Sequence, residues 1–92
     1  MSETVSLPER LDLSTAPDLA QTLLNYPADK TLLLDASQVS HFGALGLQVV
    51  LAAVFRANEA GGSIQLQNTP DRALEQLKAM GTSPEIITEA TK

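Results

Sequence analysis

The chain has 92 residues, six basic and eleven acidic side chains, and a net charge of −5, which fits one domain around one core. Its basic residues Arg10, Lys30, Arg56, Arg72, Lys78 and Lys92 are scattered singly, so there is no positive patch to neutralise phosphates and direct nucleic-acid binding is not expected. Apolar residues make up 43% and aromatics only 3%, so Leu, Val, Ile and Ala must build the core. The absence of cysteine rules out disulfides and thiolate metal sites and fits a reducing compartment. Met1 to Val5 shows no basic region followed by an apolar run, so no secretory signal is expected. The longest apolar stretch, Phe42 to Phe55, falls short of the ~20 residues a bilayer span needs. A soluble cytoplasmic protein is expected, without direct membrane insertion.

Thr4 to Leu7 alternates weakly and stops at Pro8, which predicts a short strand. Thr15-Ala16-Pro17-Asp18 reads as a helix start, with Thr15 as N-cap and Asp18 in the place of a capping-box glutamate. The helix is predicted over Ala16 to Asn25, with Leu19, Leu23 and Leu24 along one side. Lys30 to Ala36 holds the unbroken run Leu32-Leu33-Leu34, the pattern of a central strand covered on both faces.

A main helix is predicted from Ala44 to Ala60, ended by Gly61-Gly62 as a left-handed cap. Ser63 to Gln67 alternates with period two, as a strand with one side in the core does. Thr69-Pro70-Asp71-Arg72 repeats the cap-then-proline device and opens a helix carrying Ala73, Leu74, Leu77 and Met80, which Gly81 stops. Beyond Thr82 only Ile86 and Ile87 are apolar anchors, compatible with a short strand or a helical turn. The element order predicts an α/β fold over 1–92: a small mixed, mainly parallel sheet of about four strands with three to four crossover helices.

Chemistry-bearing residues are few. His41 is the only histidine and has no cysteine or histidine companion, so it reads as a solvated or capping residue. Asp12 and Asp35 each follow an apolar segment and could converge, but turn and cap acceptors are the stronger reading. Gly43 and Gly46 lack the lysine and hydroxyl of a phosphate loop. No nucleophile–base pair, metal cluster or cofactor loop appears, so neither an enzyme nor a cofactor is expected.

The main helix says more. At 100° per residue, Leu47, Val50, Leu51, Val54 and Ala57 share the side that must face the sheet. Leu45 and Val49 fall nearly opposite, beside Gln48, Ala52 and Arg56, where a purely structural helix would carry charges. This second stripe either packs under another helix or the tail, or is an exposed patch for a partner or a second copy.

From Val5 to Met80 the chain resembles STAS domains, the family of bacterial anti-sigma factor antagonists and sulfate-transporter tails. Glu9-Arg10-Leu11-Asp12 sits where the family often has Gly-Glu-Leu-Asp, and Thr15-Ala16-Pro17 is similar to its first helix start. Leu34-Asp35-Ala36-Ser37-Gln38-Val39 resembles the family's Leu-Asp-Leu-Ser-Gly-Val. Gly43-Ala44-Leu45-Gly46-Leu47 stands against its Asp-Ser-Ser-Gly-Leu, so Ala44 occupies the position of the serine that regulatory members phosphorylate. The His41 to Val49 segment also resembles small stand-alone STAS proteins of proteobacterial chemotaxis clusters. Typical antagonists have one more strand before Thr4 to Leu7; lacking it would leave an uncovered edge, and edges invite pairing.

The resemblance implies a non-enzymatic protein-interaction module in bacterial signalling, acting on transcription or chemotaxis through a histidine-kinase-like ATPase partner. With Ala44 in place of serine, binding is expected to need no phosphate switch. The expected binding surface is Ser40, His41, Gly43, Ala44, Leu45, Gln48, Val49 and Ala52, with Asp12 as a nearby turn acceptor. The alternative is a soluble accessory subunit of a membrane transporter, docked on its ATPase through Leu45 and Val49.

Overall fold

The run at Leu32 to Leu34 takes the middle of the sheet. In the computed structural model, which describes residues 3–88, strand β1 (Glu3–Ser6) and a later strand, β5 (Ser63–Gln67), flank β3 (Thr31–Asp35), in the order β1-β3-β5 with both pairings parallel. A second, two-residue parallel ladder joins β2 (Arg10–Leu11) to β4 (His41–Phe42). Four helices complete the described residues: α1 (Ala16–Leu24), α2 (Ala44–Glu59), α3 (Asp71–Ala79) and α4 (Pro84–Thr88). The mainly parallel α/β architecture is therefore the one expected, with its strands divided between a three-stranded sheet and a side ladder.

Register explains the core. Val5 pairs with Leu34, Leu34 with Leu66, and Leu32 with Ile64, so these apolar residues share one face. Val5, Leu32, Leu34 and Ile64 join Leu19 and Leu23 of α1, Val50, Val54 and Ala57 of α2, Ala73 and Leu77 of α3, and Ile87 of α4 in one buried cluster, with Leu66 half-buried against it. Phe42 is its largest fully buried side chain, despite the scarcity of aromatics.

Leu33 corrects the expectation of a strand buried on both faces. It is only half-buried, and its cross-strand neighbours Thr4 and Gln65 are exposed. The helices put their buried residues into the cluster that holds Leu32 and Leu34, which leaves the Leu33 face open. Leu24 is a second correction. It lies one position, about 100°, beyond Leu23 on the helix, and is 56% exposed.

The glycine stops and the starts of α1 and α2 fall where the sequence puts them, whereas the expected side-chain caps of α1 and α3 do not form. Gly61 has φ +86° and Gly62 N–H returns to Ala57 O at 2.8 Å, while Gly81 has φ +80° and Thr82 N–H returns to Leu77 O at 2.9 Å. Both are left-handed glycine caps. Thr15 is the N-cap of α1, yet its side chain makes no capping bond. Its hydroxyl donates to Arg10 O at 2.8 Å and accepts from Asp12 N–H at 3.0 Å, so it clamps the preceding turn instead. At α3 the N-cap is Pro70, with no side-chain cap. The tail adopts the helical alternative over Pro84–Thr88; residues 89–92 lie outside the described part.

The side ladder fixes where α2 begins. Gly43 N–H donates to Leu11 O at 2.9 Å, and Ser40 N–H and His41 N–H both donate to Glu9 O. One turn into α2, Gly46 lies so close to β2 that a Cβ there would sit 2.5 Å from Leu11 Cβ. Gly46→Ala must push α2 away from a residue that is fully buried. A loss of about 1–3 kcal/mol is expected from such overpacking, read as a melting-temperature drop of about 4–8 °C per kcal/mol.

Candidate functional site

The ladder, the turn that follows it and the outer face of α2 form one surface. Ser40 and His41 are half-buried at the start of this surface, Gly43 is the N-cap of α2, and Ala44 is its first residue and exposed. The first turn of α2 contains no acidic residue and no capping side chain. A hydroxyl is absent from its first three residues, Ala44, Leu45 and Gly46.

A residue from α3 holds this turn. Gln76 Oε1 accepts the Phe42 N–H, and Gln76 Nε2 donates to Ser40 O at 3.3 Å. One side chain thus satisfies a donor of the two-residue β4 and the carbonyl of the residue just before it. Sequence reasoning missed Gln76, because a contact across 34 positions has no local signal.

The two aspartates do not act together. Asp12 accepts from Ser14 Oγ at 2.7 Å, Ser14 N–H at 3.0 Å and Arg10 Nε at 3.1 Å. Its pKa is lowered to about 2, first by the Ser14 hydroxyl and then by the Arg10 guanidinium. Asp35 accepts from Ser37 N–H at 3.0 Å and from Asn68 Nδ2 at 3.3 Å, and the Ser37 backbone bond leads the lowering of its pKa. Asp12 braces its own turn, and Asp35 ties its turn to the residue that follows β5. Among the described residues no group of histidine, cysteine, aspartate or glutamate could hold a metal ion.

Helix α1 lies beside α2, and a groove of about 380 Å³ runs between them. Ala16, Ala20, Leu23 and Leu24 line it from α1; Leu45, Gln48, Val49, Ala52, Ala53 and Arg56 line it from α2. The second stripe of α2 is thereby divided. Val49 and Ala53 are half-buried against the core, while Leu45, Gln48 and Ala52 stay exposed. Of the expected surface residues, Leu45, Gln48, Val49 and Ala52 converge on the groove. Gly43 and Ala44 stand at its head, and Asp12 is tied to that head through the Leu11–Gly43 bond.

The exposed ridge of α2 is wider than the sequence reading made it. Ala44, Leu45, Gln48, Ala52 and Phe55 are all exposed, and charge enters only with Arg56 and Glu59 in the last turns. Phe55 is 54% exposed and Leu45 40%. Leu13, in the turn before α1, is 74% exposed. The angle of Phe55, about 100° from Val54 on the wheel, was the available signal for it; the α1 wall had none, because it depends on how the two helices pack.

The family model described as "Mlab, STAS domain" matches residues 2–87. The chain belongs to the STAS domain family, whose members are generally non-enzymatic modules that bind protein partners. No curated protein matches the chain. No helix among the described residues is long and apolar enough to cross a membrane.

Two outcomes follow from this geometry. Gln76→Leu leaves Phe42 N–H and Ser40 O without their partner, and a loss of about 1–3 kcal/mol is expected by urea titration. Asp12 ionises more readily folded than unfolded, so its carboxylate contributes stability that is full above an unfolded pKa of about 3.9. That contribution is lost as pH falls towards about 2. The stability difference between wild type and Asp12→Asn is therefore flat from neutral pH to about pH 5 and shrinks below it.

Proposed function

We propose that this chain is a cytoplasmic, non-enzymatic docking module that holds a protein partner through the Ser40 to Ala44 turn and the outer face of α2. The partner is a histidine-kinase-like ATPase domain of a signalling system, of the anti-sigma or chemotaxis type. The exposed apolar ridge of α2 carries this reading. A surface helix with only its own core to serve would present charges there, whereas Ala44, Leu45, Ala52 and Phe55 are left facing solvent.

Binding is constitutive in this account. In phosphorylated relatives the added phosphate brings about two negative charges to the head of the main helix. Ala44 cannot accept it. Membership of the STAS family supports a partner-binding role, and Asp12 and Asp35, engaged in turns, offer no acid–base pair to set against it.

A second reading makes the chain an accessory subunit on the ATPase of a membrane transporter. The apolar character of the groove favours it, because permanent subunit contacts are more hydrophobic than switched ones. Recovery of a transporter ATPase without signalling kinases would select this reading.

Leu45→Asp tests the shared claim. Partner recovery is expected to fall at least about tenfold, as for a central interface residue, with an unchanged circular dichroism spectrum. Unchanged recovery with the fold intact would place the contact elsewhere. Incubation with the copurified kinase-like partner and ATP is expected to leave the intact mass unchanged; a stoichiometric phosphate would contradict constitutive binding.

A further inference from the structure

We infer, resting on the docking reading above, that the groove between α1 and α2 receives an amphipathic helix of the partner, apolar side down, with a carboxylate of that helix on Arg56. Alanines dominate the middle of the groove: Ala20 from α1, and Ala52 and Ala53 from α2. Small side chains there allow a third helix to approach closely, because interhelix distance is set by the residues at the contact. Leu24 and Leu45 stand exposed at its margins. The groove offers about 16 Å between Leu45 and Arg56, at 1.5 Å per residue, enough to seat three turns of a helix.

Arg56 supplies the polar half of the partner's description. Among the described residues it is the one charged side chain lining the groove. The ion pair among the described residues is Arg10 with Asp12, and the exposed Glu59, one turn beyond Arg56, does not reach it. A guanidinium at the edge of an apolar surface loses water when a partner covers that surface, and the loss is offset only if a carboxylate meets it. An apolar stripe that ends in an aspartate or glutamate fits both features. A second copy of this chain fits neither: two chains of net charge −5 repel, and among the described residues no carboxylate lines the groove to meet the other copy's Arg56.

Photo-crosslinking in the native cells tests this, with p-benzoylphenylalanine placed in turn at Ala52, at Ala44 and, on the open face of the sheet, at Leu33. Mass mapping of the Ala52 adduct is expected to find a helical partner segment with apolar residues at three- and four-residue spacing and an acidic residue at one end. Arg56→Glu should then weaken binding to that purified partner about tenfold, and reversal of the mapped acid to arginine should restore it. An adduct on a second copy of this chain, on a basic segment or on a non-helical one overturns the inference, as does unchanged binding by Arg56→Glu. Adducts from Ala44 alone would overturn the groove and leave the docking reading standing. Adducts from Leu33 alone, or from none of the three positions, would overturn both.

Discussion

The close approach of Leu11 to the first turn of α2 is the constraint on which the rest of the molecule depends. Leu11 is fully buried, its carbonyl accepts the Gly43 N–H at 2.9 Å, and its side chain occupies the space a Cβ on Gly46 would need. A Cβ on Gly43 would likewise meet Leu11 O at 2.8 Å. Two glycines one turn apart therefore let the main helix start directly against the side ladder. That contact sets the height of α2 over the sheet, and with it the position of α1, because α1 begins just after the turn that follows Leu11.

From this anchor the proposed docking surface follows by packing. Val50, Val54 and Ala57 are drawn into the core, so the opposite side of α2 must face outward whatever it carries. It carries alanine, leucine and phenylalanine for most of its length. The turn leading into it is held by Gln76 on one side and by the ladder on the other. The turn and the apolar ridge are both referenced to one buried leucine, so the proposed docking surface would need little ordering on binding.

Much of the fold was legible because its signals are local. The apolar run of β3, the alternation of β5 and the glycine stops of α2 and α3 each declare themselves within a few residues. The failures are tertiary. Thr15 has the composition of a helix cap, but its hydroxyl finds the Arg10 carbonyl of β2 instead. Leu33 sits in an unbroken apolar run, yet only one face of the sheet receives helices. At the site, Leu45, Val49 and Ala52 were legible from helical angle alone. The α1 wall of the groove, Leu24 above all, was not, because helix–helix packing decides which residues face each other. The resemblance of Gly43 to Leu47 to the family signature pointed to the head of the proposed site, and Ala44 there is the basis for proposing binding without a phosphate switch.

Hydrogen exchange on the purified complex tests the central claim most directly. Protection gained on binding is predicted over Leu13 to Leu24 and Ser40 to Arg56, with Thr4 to Ser6 and Ser63 to Gln67 unchanged. Protection gained on those two strands, with α1 and α2 unchanged, would contradict the account and move the interface to the open face of the sheet.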